Sequence, residues 1–232
     1  MTYGKDVGRK FYEDGSVRCY PGNTVVAPVT PASAAYDVMC YLRQSVIDRG
    51  CDSHLILLPT DSYHMTIIRG VNDQIRDDAH WPAALAKDAP MSAVDDYMER
   101  AILSADIPGP VRMRFDHVRM SASDVKVVVV PADKEEEGKL LRFRDRAADA
   151  IGLRLPGHDS YVFHITLAYT RVIPDGEDET RFDDLIKEFT EYVSDKGEFY
   201  VSAPHMAFYD DMLRFSPTRV ARENEDVIHK RS

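Results

Sequence analysis

The sequence predicts an α+β fold. Strand-like segments outnumber helical ones. Their order runs strand, helix, strand, strand, helix, and then hairpin, helix, strand, helix, strand. Hairpin connections are thus mixed with helical ones, where a doubly wound parallel sheet would alternate strand and helix throughout.

Residues 1–24 are rich in turn signals, Asp14-Gly15 and Pro21-Gly22-Asn23 among them, and Lys10–Tyr12 and Ser16–Arg18 could pair as a short hairpin. Thr24–Val29 reads as a strand. A helix follows over 32–49, with Ala35, Val38, Met39, Leu42 and Val46 at helical spacing and Gly50 as its stop. His54–Leu58 and Tyr63–Arg69 are short strands, residues 70–90 an irregular polar loop, and Met91–Leu103 a helix. Val111–Met120 alternates and Val125–Val130 is β-branched, which makes a hairpin around Ser121–Asp124. Gly138–Ile151 is an amphipathic helix, with Leu140, Leu141, Arg144, Ala147, Ala148 and Ile151 at its spacing. Tyr161–Thr170 is a strand, Thr180–Val193 a helix, and Phe199–Tyr209 and Met212–Phe215 are strands. The charge runs Lys134–Lys139 and Asp175–Glu179 read as solvated turns.

Composition narrows the function classes. With 29 Lys and Arg against 39 Asp and Glu, the net charge is −10. That disfavours wrapping of long nucleic acid, which needs a basic surface, but leaves room for a small phosphate ligand in a local pocket. No apolar run reaches the length of a membrane span, the N-terminus lacks an apolar signal core, and Cys19, Cys40 and Cys51 show no CxxC spacing. Reduced thiols and a cytoplasmic location are expected.

One internal repeat carries chemistry. Leu58-Pro59 and Asp61-Ser62-Tyr63 precede His64-Met65-Thr66-Ile67; Leu155-Pro156 and Asp159-Ser160-Tyr161 precede His164-Ile165-Thr166-Leu167. The second copy has one extra residue before Asp-Ser-Tyr and two before the histidine. With 8 His and 10 Thr in the chain, about 0.3 His-x-Thr would arise by chance, so a matched pair in a shared context exceeds the noise of short motifs. On a strand, residues i and i+2 share a face. Each copy therefore presents an imidazole and a hydroxyl together, with Met65 and Ile67, or Ile165, Leu167 and Tyr169, turned behind. Two imidazoles near their ordinary pKa can divide a displacement at phosphorus between base and acid. The threonine hydroxyls can donate to the non-bridging oxygens.

Paired His-x-Thr-apolar motifs at His64, Thr66, His164 and Thr166 resemble the two-histidine (2H) phosphoesterase superfamily, which includes RNA 2′,3′-cyclic phosphodiesterases of the LigT type. The stretches Gly8–Gly15 and Pro21–Thr24 resemble a bacterial branch of that superfamily with no assigned function. The resemblance implies a bilobal LigT-like fold over residues 1–216, with pseudo-twofold symmetry and two antiparallel sheets around a central cleft, helices outside. Residues 1–23 would form an N-terminal hairpin extension and 217–232 a charged tail. It also implies metal-independent action on a small nucleotide or oligonucleotide-end phosphodiester, often a cyclic one of the kind met in RNA processing, with no cofactor. A module that binds a phosphorylated nucleotide without cleaving it is the alternative.

Four further residues are substrate-binding candidates, each with a plainer reading. Arg69 and Arg171 follow their histidines at odd offsets; they could clamp phosphate or sit solvated at the rim. Trp81 could stack on a base or anchor its loop. Strand parity turns Tyr161 and Tyr63 toward the core unless a bulge intervenes. No metal set is expected, because zinc wants three or four clustered ligands and threonine is a poor one; His158 and Asp159 fall on a loop.

Overall fold

Alternating apolar positions build most of the strands, and the computed structural model describes residues 1–218. In chain order the elements are β1 (Thr2–Tyr3), β2 (Gly22–Pro28), α1 (Ala34–Asp48), β3 (Leu55–Leu57), β4 (His64–Asn72), α2 (Met91–Leu103) and β5 (Val111–Met120). They continue with β6 (Asp124–Pro131), α3 (Lys134–Ile151), β7 (His164–Thr170), β8 (Val172–Ile173), α4 (Glu177–Ser194), β9 (Glu198–Val201) and β10 (His205–Tyr209). The α+β class read from the element order is the class adopted. The charged tail lies outside the described residues from position 219 onward.

The strands form antiparallel runs in the order β10-β2-β4 and β7-β6-β5-β9, with β3 also on β7. β4 meets β7 at one paired position, Met65 with Ile165. On either side of that contact the halves repeat each other. Val26, Ala27 and Pro28 pair with Thr66, Met65 and His64. Lys126, Val127 and Val128 pair with Thr166, Ile165 and His164. The amide of Val29 bonds the Tyr63 carbonyl, and that of Val129 the Phe163 carbonyl. Each of these pairs of equivalents is separated by the same 100 positions as the two histidines (164 − 64). A pseudo-twofold axis therefore passes by Met65 and Ile165, both 0% exposed.

Helices cover the apolar side. α1 packs near β7 and α3 near β4, so each half supplies a helix beneath the other's central strand. Ser33 caps α1 by accepting the Tyr36 amide. Asp133 caps α3 by accepting the Glu135 and Glu136 amides. That cap corrects the reading of Lys134–Lys139 as a turn. The run is the opening of α3, where Glu135, Glu136 and Glu137 stand at the positive end of the helix dipole. For the same reason Glu177–Glu179 open α4. Gly152 ends α3 at φ 67°, a left-handed turn that glycine takes without strain.

Two strand readings also change. Phe199–Tyr209 divides into β9 and β10 around Pro204, whose ring cannot donate to a ladder. Met212–Phe215 is not a strand; a single bridge joins Phe208 to Ser216. The N-terminal hairpin reduces to a bridge between Phe11 and Val17. The three cysteines are free thiols, and among the described residues no helix is long and apolar enough to cross a membrane.

Candidate active site

The meeting of β4 and β7 places the repeated motif. Met65 and Ile165 point down into the core, so His64, Thr66, His164 and Thr166 point up, each half-buried, and all four line one cleft of about 690 Å³. The register that pairs Met65 with Ile165 sets His64 across from Thr166 and His164 across from Thr66. In such a register the two histidines are diagonal neighbours, whose separation in regular antiparallel sheet is roughly 7–8 Å.

Both imidazoles are held alike. Nδ1 of His64 lies 2.7 Å from the Ser62 carbonyl, and Nδ1 of His164 lies 2.8 Å from the Val162 carbonyl. A carbonyl only accepts, so each Nδ1 carries the proton and donates it. Each Nε2 is left with a lone pair. Burial pushes both groups down to about 4. The Phe215 ring, 4.4 Å from that of His64, contributes to the crowding there. At His164, Lys126 adds to the depression while Asp124 opposes it.

This sets an acid-stability prediction. The imidazoles titrate near 6.5 when unfolded and near 4 when folded, so between those values the unfolded state holds more protons. Stability is expected to fall as pH drops from 6.5 to 4. The loss is roughly 1–2 kcal/mol per histidine after allowance for water at the cleft edge. Urea midpoints at pH 7 and 4.5 would show a smaller acid loss in a double His64→Ala, His164→Ala variant; an equal loss would place the acid sensitivity elsewhere.

Two β-bulges revise the parity argument. Val25 pairs with Ile68 and Val26 with Thr66, so Ile67 is an extra residue in β4. Val125 pairs with Ala168 and Lys126 with Thr166, so Leu167 is the extra residue in β7. Ile67 and Ile68 are both buried, as are Leu167 and Ala168. The phase flips after each bulge. Arg69 and Tyr169, equivalent positions in the two halves, therefore face the cleft with the histidines. Tyr169 is not behind the motif, as regular alternation has it. Arg69 reaches from its strand to the Pro156 carbonyl.

The other candidates separate clearly. Tyr161 also lines the cleft, because the two residues added before His164 place Phe163, not Tyr161, at the core position equivalent to Tyr63. Its hydroxyl is pushed up to about 12 by burial, with Arg144, Arg69 and the Thr66 hydroxyl pulling the other way. Trp81 and Arg171 do not line the cleft, which corrects their reading as substrate-binding residues. Trp81 is 1% exposed, donates Nε1–H to the Ala86 carbonyl at 3.1 Å and carries the Arg76 guanidinium 4.3 Å above its ring; it anchors its loop. Arg171 donates to the carbonyls of Ser53 and Glu13 and so ties the N-terminal segment to the turn before β3.

The cations that a phosphate ligand needs were not legible as a motif. Lys5, Arg9, Lys10, Arg69, Arg119 and Lys126 line the cleft, against the carboxylates Asp6 and Asp124. A patch of positive charge thus sits on a chain of net charge −10. The one readable signal was Lys126 interrupting a β-branched run. Among the described residues, Asp145, His158 and Asp159 are grouped closely enough for a metal ion, but both carboxylates are already paired with Arg154.

The 2H-phosphodiest family model, a domain of unknown function (DUF1868), matches residues 10–124. The crystal structure of the conserved protein of unknown function ATU0111 from Agrobacterium tumefaciens is 30% identical, with TM-score 0.81, over 95% of this chain and 94% of that one. TT0787 of Thermus thermophilus is 14% identical with TM-score 0.47, over 80% of this chain and 87% of its own. E. coli LigT, solved with NADP+, is 10% identical with TM-score 0.44, over 86% of this chain and 96% of its own. A search of curated proteins finds no match.

Proposed function

The chain belongs to the 2H phosphoesterase superfamily, and from that premise we propose that it is a metal-independent phosphodiesterase for a small nucleotide-like substrate, 2′,3′-cyclic or related. One observation carries the reading: two imidazoles, each fixed by an Nδ1–H bond to the carbonyl two residues earlier, stand with two threonines around one cleft.

The chemistry divides between the imidazoles. The neutral one takes a proton from water through Nε2 as the water oxygen bonds to phosphorus. The protonated one gives its proton to the departing ribose oxygen as the opposite P–O bond breaks. Thr66 and Thr166 donate to the non-bridging oxygens. Solvent exchange then returns the proton from base to acid.

The test is turnover of 2′,3′-cyclic nucleotides with EDTA present. Both imidazoles lie below 6.5 in the free protein, chiefly through burial. The expected kcat/KM profile is a bell centred on the acid side of pH 6.5. Loss of activity in EDTA, or a profile flat through this range, would count against the reading. A second reading, binding without cleavage, draws on the same depression: neither imidazole is protonated at pH 7 until an anion raises one. Nucleotide recovered unaltered after long incubation would favour it.

A further inference from the structure

We propose that the cleft contains a second anion subsite beside His164, built by Lys10, Lys126, Arg9 and Arg119, and that the substrate carries a second phosphoryl group away from the one that reacts. The assignment of the reacting group rests on the proposed function above; the subsite stands on its own observations.

The first observation is asymmetry. The histidine–threonine quartet repeats in both halves, but the charges do not. Lys126 and Asp124 flank the second motif where Val26 and Thr24 flank the first. A reaction centre that works by twofold pairing has no use for a cation cluster on one side only.

The second is an unfavourable pairing. Lys126 lies between Thr166 on one neighbouring strand and Arg119 on the other, its direct ladder partner. Like charges directly opposite in a sheet destabilise it. Among the described residues the carboxylate paired with Lys126 is Asp124, at 2.8 Å.

The third is a half-buried lysine held in place. Lys10 sits 5.2 Å from the ring centre of Tyr169 and 5.7 Å from that of Tyr20, and 3.3 Å from an Asp6 oxygen. Asp6, 3% exposed, also pairs with Arg9, so one carboxylate serves two cations. Moving an ammonium out of water is unfavourable unless it is paired. The cluster therefore holds four cations against two carboxylates, and a phosphate dianion would balance it with charge-assisted hydrogen bonds.

Spacing sets the ligand class. Tyr169 stands three residues beyond Thr166 on β7, roughly 7–10 Å at strand rise with one bulge between them. One phosphoryl group cannot bridge that span, whereas a nucleoside phosphorylated at both ends of its sugar can. The structure assigns to the N-terminal segment the role of reading that second phosphate.

The experiment compares adenosine 3′-monophosphate with adenosine 3′,5′-bisphosphate by calorimetry on the full chain. The bisphosphate is expected to bind at least tenfold more tightly. In Lys10→Met and in Lys126→Met that ratio should collapse to within about threefold, whereas Lys10→Arg should keep most of it. Thermal melts confirm that each variant is folded; if one is not, the other carries the test. Equal affinities in the unaltered protein, no binding of either nucleotide, or a ratio untouched in both methionine variants would overturn the subsite. His64→Ala separates the two proposals. Persistence of the bisphosphate preference without any turnover, in a protein that never cleaved cyclic esters, removes the activity and leaves the subsite. Turnover indifferent to a 5′-phosphate does the reverse.

Discussion

Replacing His64 or His164 with alanine is expected to lower kcat/KM on a 2′,3′-cyclic nucleotide by about 100-fold or more in each case, the usual contribution of a positioned acid or base. The symmetry of their settings argues for comparable losses. Each ring donates from Nδ1 to a carbonyl two residues back, each is half-buried, and each is held near 4. The double variant should lose far less than the product of the two single losses, because one proton transfer is of little use without the other. An ester with an activated leaving group, such as a p-nitrophenyl phosphodiester, distinguishes the roles. The variant whose defect shrinks on that ester has lost the acid, since a stabilised leaving oxygen needs no proton. Two variants that both keep full activity on the cyclic substrate would end the two-histidine mechanism.

Arg144→Met is expected to destabilise the fold by about 2–3 kcal/mol, through buried carbonyls left without a donor. Arg144 is 3% exposed in the core face of α3. Its guanidinium donates to the Ile67 carbonyl in β4 and, at 2.6 Å, to the His158 carbonyl ahead of β7. It also stacks 4.6 Å from the ring centre of Tyr161. Ile67 is the extra residue of the bulge, where the ladder supplies no regular partner. Methionine keeps the packing of the stem and removes the unneutralised charge, whose desolvation already holds the Arg144 pKa below its ordinary value. The lost hydrogen bonds outweigh that relief. Urea unfolding should show a lower midpoint at unchanged slope. A change under 0.5 kcal/mol would mean that water takes over the role of the guanidinium.

The elements and the quartet were readable because each rests on local patterning. Period-2 alternation and the doubled His-x-Thr need no knowledge of what lies alongside. The bulges interrupt alternation with two adjacent apolar residues, Ile67-Ile68 and Leu167-Ala168. That interruption was visible, but only the paired strand shows it to be a bulge, so Tyr169 was placed on the wrong face. The charge run Lys134–Lys139 was misread because its capping residue, Asp133, acts through backbone amides that exist only once the helix forms. The cation cluster was out of reach for a different reason. Arg119 and Lys126 lie on one hairpin, but Lys10 comes from a distant segment, and nothing local says that the N-terminal segment lies over β7.

The single ladder rung between β4 and β7 has a mechanical consequence. Within a continuous ladder, successive hydrogen bonds would lock the interval between facing side chains. Here one rung, Met65 with Ile165, acts as a fulcrum. The gap between the two imidazoles is therefore expected to depend on the layer underneath, where α1 packs near β7 and α3 near β4. Substitutions on those helix faces are expected to shift that gap from below, through residues that do not line the cleft.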